Sequence, residues 1–181
     1  MKTDNIDNPS TSAIGIDLGG TKTESIVLTP DGEVLWRQRQ PTPRSAGYVA
    51  VLELVAAMIC EAAAQLPVGA SPTVGIGIPG SIDARSDLVR NANTTCLNAR
   101  PLQRDLQARL GQPVAFGNDA NCLALFEAAD GAGRGAPVVF AAILGTGCGA
   151  GIAVGGQVLT GPNLVAGEWG HNPLPWADAD E

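Results

Sequence analysis

The chain has 181 residues, 45% apolar and 16% charged, with a formal net charge of −7. This composition suits a globular protein rather than a disordered one, and its acidity argues against a nucleic-acid partner. No apolar run approaches the length of a membrane-spanning helix, so no membrane partner is expected.

The opening segment MKTDNIDNPSTS is polar and lacks the apolar stretch of a secretory signal. Residues 1–12 are therefore expected to be disordered and the protein cytoplasmic. Residues 13–18, AIGIDL, read as a buried strand. KTESIVL alternates like a second strand, TPDG turns, and EVLWRQR is a third, so 13–39 form a meander. PTPR marks a loop. Val51, Val55, Met58, Ile59, Ala62 and Leu66 recur at helical spacing over 47–66, which Pro67 ends. TVGIGI (73–78) is another buried strand, 101–110 a short helix opened by Pro101, and PVAF (113–116) a short strand. A helix follows over about 120–129. The order β-β-β-α-β-α-β-α predicts an α/β layer structure with a mixed sheet.

The phrase then begins again. VVFAAIL (138–144) is a buried strand, GTGCGAG a glycine turn, GIAV a strand, and GGQVL a turn and strand. The recurrence predicts two similar domains, 13–117 and 118–181, the second incomplete, facing each other across a ligand cleft.

DLGGTKT (Asp17–Thr23) is a hairpin tip of small residues. Its N–H groups and the hydroxyls of Thr21 and Thr23 suit a polyphosphate, Lys22 adds charge, and Asp17 suits hydrated Mg²⁺. It is not a P-loop, and one such hairpin taken alone is as well explained by turn geometry. The second Gly-Thr turn, Gly145-Thr146-Gly147, at the equivalent place favours the phosphate reading. NDAN (118–121) precedes a helix, so Asn118 or Asp119 can be an N-cap, or Asp119 a base aimed into the cleft. GEWGH puts Glu168 three residues before His171, the only histidine. Such a pair can bind vicinal hydroxyls, and a lone His can equally be structural. Cys60, Cys96, Cys122 and Cys148 show no CxxC spacing and read as reduced, mostly buried side chains.

With IGIDLGGTKTE, GIGIPGSID, NANTT-LN, NDANCLAL-EA, ILGTGCGAG and GEWGHNPLPW in hand, the chain resembles the ROK family of sugar kinases and sugar-responsive repressors from Ile14 to Trp176. The wording of GIPGS, NANTTCLN and AGEWGHNPLPW is most similar to bacterial fructokinases of the mannofructokinase type. The resemblance implies an actin-like ATPase (ribonuclease H-like) fold and transfer of phosphate from ATP to a hexose, fructose first, with N-acetylglucosamine, glucose or mannose as alternatives. It implies Asp119 as general base, and Asn118, Glu168 and His171 on the sugar with Gly80, Ser81 and Asn93. Asp17, Gly19, Gly20, Thr21 and Lys22 would meet the phosphates and, through water at Asp17, Mg²⁺. Gly145, Thr146 and Gly147 would meet them from the other side.

In that family the His of GExGH also binds a structural zinc with three cysteines of a following CxCGxxGCxE motif. No cysteine here matches, so zinc and a homodimer are expected only of a full-length protein, of which this chain looks like the N-terminal part. A repressor would need a helix-turn-helix before the first strand, where a dozen polar residues leave no room. A sugar-binding, inactive remnant is the third reading.

Overall fold

The computed structural model describes residues 11–144 and 148–171. The disorder expected of residues 1–12 therefore falls, except at Thr11 and Ser12, outside the described residues. The chain divides into two compact units, Met1–Asn118 and Asp119–Glu181.

The first unit is built on strands β1 (Ala13–Leu18), β2 (Lys22–Leu28) and β3 (Val34–Pro41), the meander read from the sequence. Helix α1 (Tyr48–Ala63) crosses to β4 (Thr73–Ile78), which lies parallel beside β1. Helix α2 (Leu102–Leu110) crosses to β7 (Ala115–Asn118), parallel to β4. Between β4 and α2 runs a small hairpin, β5 (Ser81–Asp83) and β6 (Leu88–Arg90). The main sheet has the order β3-β2-β1-β4-β7 and is mixed.

Alternation decides which sheet face is apolar. Ile14, Ile16, Leu18, Val27, Val74, Ile76 and Ile78 are buried, and Val51, Val55, Met58, Ile59 and Ala62 of α1 are buried in the same core. Each large side chain removed from water contributes about 1.5–3 kcal/mol. Helix α2 starts after Pro101 and stops at Gly111, which takes the left-handed conformation that favours glycine. It buries Leu102 and Leu106. The Tyr48 hydroxyl donates to Asp105 Oδ2 at 2.7 Å, tying the start of α1 to α2, and Arg100 stacks over the Tyr48 ring at 5.4 Å. Burial, and then the bond to Asp105, pushes the Tyr48 phenol up from its ordinary pKa.

The first unit departs from the sequence expectation in two places. The strand expected at 113–116 begins at Ala115 and runs to Asn118. Val114 is withheld from the ladder by α2: its N–H donates to Gln107 Oε1 and its carbonyl accepts from Gln103 Nε2. The β5–β6 hairpin was not anticipated, because three-residue strands carry too little periodicity. Its turn is made by the Asp83 carboxylate, which accepts from the N–H groups of Arg85 and Ser86 and from the Ser86 hydroxyl. The Ser86 N–H foremost holds that carboxyl below its usual pKa.

The second unit packs α3 (Asp119–Ala129) on an antiparallel sheet of β8 (Val138–Leu144), β9 (Cys148–Val154) and β10 (Gln157–Val158), in the order β10-β9-β8. Residues 148–151, expected within a glycine turn, belong to β9 and pair with 141–144. Their small side chains suit a strand lying directly beneath a helix, and a Cβ on Gly151 would collide with Ala120. Val139 and Ala141 face Ala124, whereas Val138, Phe140 and Leu144 are more than half exposed. The cysteines were expected to be mostly buried. Cys60, Cys122 and Cys148 are exposed and Cys96 is half-buried. Cys60 lies off the buried stripe of α1.

Tyr48→Phe is expected to cost about 1 kcal/mol of unfolding free energy, read by urea denaturation. Above pH ~10 the unfolded phenol releases its proton before the folded one does, so folded-state stability declines as pH rises. That alkaline decline should be shallower in Tyr48→Phe.

Candidate functional site

Strands β1, β4 and β7 run parallel, and their register pairs Asp17 with Gly77 and Ile78 with Asn118. Asp17, the Pro79–Gly80 corner and Asn118 thus leave the sheet at one edge. In open α/β sheets the carboxyl ends of parallel strands are where ligands bind.

Asp17 is exposed at this edge, and the hairpin Gly19–Lys22 comes directly after it. The Gly19 N–H donates to the Lys22 carbonyl at 3.0 Å. A Cβ on Gly19 would lie 2.7 Å from that carbonyl oxygen, so the tip closes only around glycine. Thr21 and Lys22 are exposed, while Thr23 is buried. Thr23 therefore belongs to the support of the hairpin rather than to its surface, which corrects its reading as a phosphate donor.

The second corner is held just as closely. The Gly80 N–H donates to the Ile78 carbonyl at 2.9 Å, and the Asn93 N–H donates to the Pro79 carbonyl at 3.2 Å. Gly80 has φ +152°, and a Cβ there would lie 2.6 Å from the Arg90 carbonyl oxygen. Ser81 opens β5 opposite Arg90. Gly80, Ser81 and Asn93 are thereby brought together, with the Asn93 residue exposed. Asn98 secures the segment: its Oδ1 accepts from the Ala92 N–H and its Nδ2 donates to the Ala92 carbonyl. Sequence reading did not single out Asn98, although it lies within the NANTTCLN motif.

In the second unit Asp119 opens α3, exposed, directly after Asn118 closes β7. Its Oδ1 accepts the Ala120 N–H at 2.8 Å. It stands in a helix first turn, where backbone dipoles favour negative charge. Glu168 is half-buried. Its Oε2 lies 3.8 Å, and the Ala120 Cβ 4.0 Å, from where a Cβ on Gly149 would stand. Glu168 and the first turn of α3 therefore flank the same glycine. The indole of Trp169 donates to the Gly149 carbonyl at 3.3 Å, fixing the turn that carries Glu168. His171 closes a short 3₁₀ turn, Trp169–His171, and its side chain lies outside the described residues. So do Gly145, Thr146 and Gly147. No group of three or more metal-ligating side chains occurs among the described residues.

The ROK family model matches residues 13–180. The chain belongs to the ROK family. It is 42% identical over 161 residues to an N-acetyl-D-glucosamine kinase of Citrobacter koseri, covering 89% of this chain and 52% of that kinase. Among solved structures it is similar to a ROK family glucokinase from Streptomyces griseus in complex with glucose and AMPPNP, with TM-score 0.79, 32% identity, and coverage of 91% of this chain and 51% of that one. A ROK hexokinase from Thermus thermophilus matches with TM-score 0.74 and 31% identity, over 91% of this chain and 54% of that one. The ROK chain has the mixed α/β, actin-like ATPase fold of these kinases. It spans about half the length of the curated relatives it matches.

Gly80→Ala combines a strained φ with a collision against backbone. It is expected to lower stability by about 1–3 kcal/mol and to displace the Ser81–Asn93 corner. Thermal denaturation reads the first effect, and sugar titration of the refolded variant reads the second.

Proposed function

We propose that the full-length protein carrying this ROK chain is an ATP-dependent hexose kinase. The observation that carries this is the shared edge at which β1, β4 and β7 end, with Asp17 and its hairpin, the Gly80 corner and Asn118, and with Asp119 as the next residue. N-acetylglucosamine is the favoured hexose, because that is what the 42%-identical relative phosphorylates by name. Fructose is the second reading, on the wording of Gly77–Ser81 and Asn91–Asn98.

In this proposal Gly19, Gly20, Thr21 and Lys22 meet the phosphates, joined by Gly145, Thr146 and Gly147. Asp17 holds Mg²⁺ through water. The described geometry fits that assignment: an exposed carboxylate stands at a strand end beside a hairpin with no side chain at two successive positions. Mg²⁺ supplies charge neutralisation to the transferring phosphoryl group. Gly80, Ser81, Asn93, Asn118, Glu168 and His171 bind sugar hydroxyls. The Asp119 carboxylate accepts the proton of the attacking hydroxyl while that oxygen bonds to the γ-phosphorus. The bond from the γ-phosphorus to its bridging oxygen breaks, and ADP departs with that electron pair. Zinc has no comparable fit among the described residues, and no step here depends on it. A cytoplasmic homodimer completes the proposal.

Asp119→Asn in the full-length protein is expected to keep sugar affinity and to lose about 10²–10⁴-fold in kcat. Near-normal turnover rejects Asp119 as the base. A coupled ADP-release assay across N-acetylglucosamine, glucose, mannose and fructose ranks the substrates by kcat/KM. Release with none of them rejects the hexose kinase reading.

Asp17→Ala is expected to weaken MgATP binding while leaving sugar binding within about twofold. Calorimetric titration of each ligand separates the two. Collapse of sugar affinity with nucleotide affinity intact assigns Asp17 to the other substrate.

A further inference from the structure

Thr42 lies just past the end of β3, in the PTPR stretch read from the sequence as an ordinary loop. It is nonetheless buried, at 8% exposure, and three of its hydrogen bonds reach β2 and the hairpin before it. Its N–H donates to the Thr21 carbonyl at 3.0 Å. Its hydroxyl donates to the Gly19 carbonyl at 2.8 Å. The Thr23 hydroxyl, fully buried, lies 2.9 Å from the Thr42 hydroxyl. A hydroxyl has one proton, and that of Thr42 is committed to Gly19, so Thr23 is the donor in this pair. The chain Thr23→Thr42→Gly19 is therefore ordered in one direction.

Peptide geometry carries this order into the hairpin. In a trans peptide the carbonyl and the next N–H point in opposite directions. Binding the Gly19 carbonyl turns the Gly20 N–H away from Thr42. It also engages, on the inner side, a carbonyl oxygen that would repel a phosphate if it faced outward. The N–H groups of Gly20 and Thr21 have no backbone acceptor among the described residues. On its other side Gly20 backs onto Thr94, whose fully buried hydroxyl stands 3.5 Å from where a Gly20 Cβ would be. The tip is thus held between two threonines from separate loops.

We propose that Thr42 is a positioning residue for the nucleotide: by binding the Gly19 and Thr21 carbonyls it presents the hairpin N–H groups to the polyphosphate of a nucleoside triphosphate. The inference rests on the kinase reading above and adds a residue that does not itself touch substrate. The test compares Thr42→Val, which keeps the shape and removes the hydroxyl, with Thr42→Ser, which keeps the hydroxyl, both in the full-length protein. Calorimetry with MgAMPPNP and with sugar, and steady-state KM values for each substrate, are the readouts.

Thr42→Val should weaken MgAMPPNP binding and raise the KM for MgATP by about tenfold, with sugar KM within about twofold. Thr42→Ser should restore wild-type nucleotide values. Nucleotide affinity unchanged in Thr42→Val overturns the inference, as does an equal loss for both substrates. Should Thr42→Val fail to fold, Thr23→Val removes only the outer member of the chain. It is expected to show a smaller, nucleotide-selective loss, and no selective loss there overturns the inference. A wild-type protein that binds sugar but no nucleotide overturns the kinase reading along with it. A wild type that binds nucleotide no better than Thr42→Val overturns only the role of Thr42.

Discussion

The parallel register of β1, β4 and β7 is the constraint on which the rest of the first unit depends. Pairing Ile16 with Ile76, and Ile76 in turn with Phe116, brings three strand ends to one edge, although they are separated by tens of residues in sequence. The ladder then places the segment after each strand: the hairpin after Leu18, the Gly80 corner after Ile78, and α3 after Asn118. A slip of one residue in any strand would turn its buried isoleucines to the opposite face, so core packing and site geometry are enforced by the same register. The apolar alternation of 14–18 and 74–78 thus supports function without contributing a functional side chain.

Backbone hydrogen bonds give that edge its detail. Gly80 is held by the Ile78 carbonyl, Asn93 by the Pro79 carbonyl, and the hairpin tip by Thr42. Each uses a carbonyl that would otherwise point towards an incoming ligand, leaving N–H groups and small residues at the edge. Side chains capable of chemistry are few there: Asp17, Asn93, Asn118 and, in the next unit, Asp119. Such a surface suits phosphoryl transfer, in which positioning and charge stabilisation do most of the work and little covalent chemistry falls to the protein.

The second unit shows the same economy, with a different weakness. Its core is small: Ala124, Val139, Ala141 and Ala153 form it, with Leu123 and Ala128 at its margin. The opposite face of its sheet exposes Val138, Phe140 and Leu144, with Phe140 edge-on to Trp169 at 6.4 Å between ring centres. Strands with one buried face and one exposed apolar face are prone to association. Because Trp169 also fixes the turn bearing Glu168, that face and the proposed sugar contact are mechanically joined.

Local pattern in the sequence was enough for the long elements. The meander, α1 with its buried stripe, β4 and β8 are legible from alternation, helical spacing and punctuation by Gly and Pro. Motif wording was enough for the family, because sets such as IGIDLGGTKTE and NDANCLAL rarely arise together by chance. The features that pattern could not reach depend on partners distant in the chain. Val114 is kept out of β7 by two glutamines of α2, β9 begins within what looked like a turn because α3 lies against its glycines, and Thr23 is buried by a partner nineteen residues away. Thr42 and Asn98 are ordinary loop residues until the fold brings carbonyls to their hydrogen-bonding atoms. Periodicity records which face of an element is apolar; only tertiary structure decides which polar atom finds which backbone group, because that choice is made between segments and leaves no local signature.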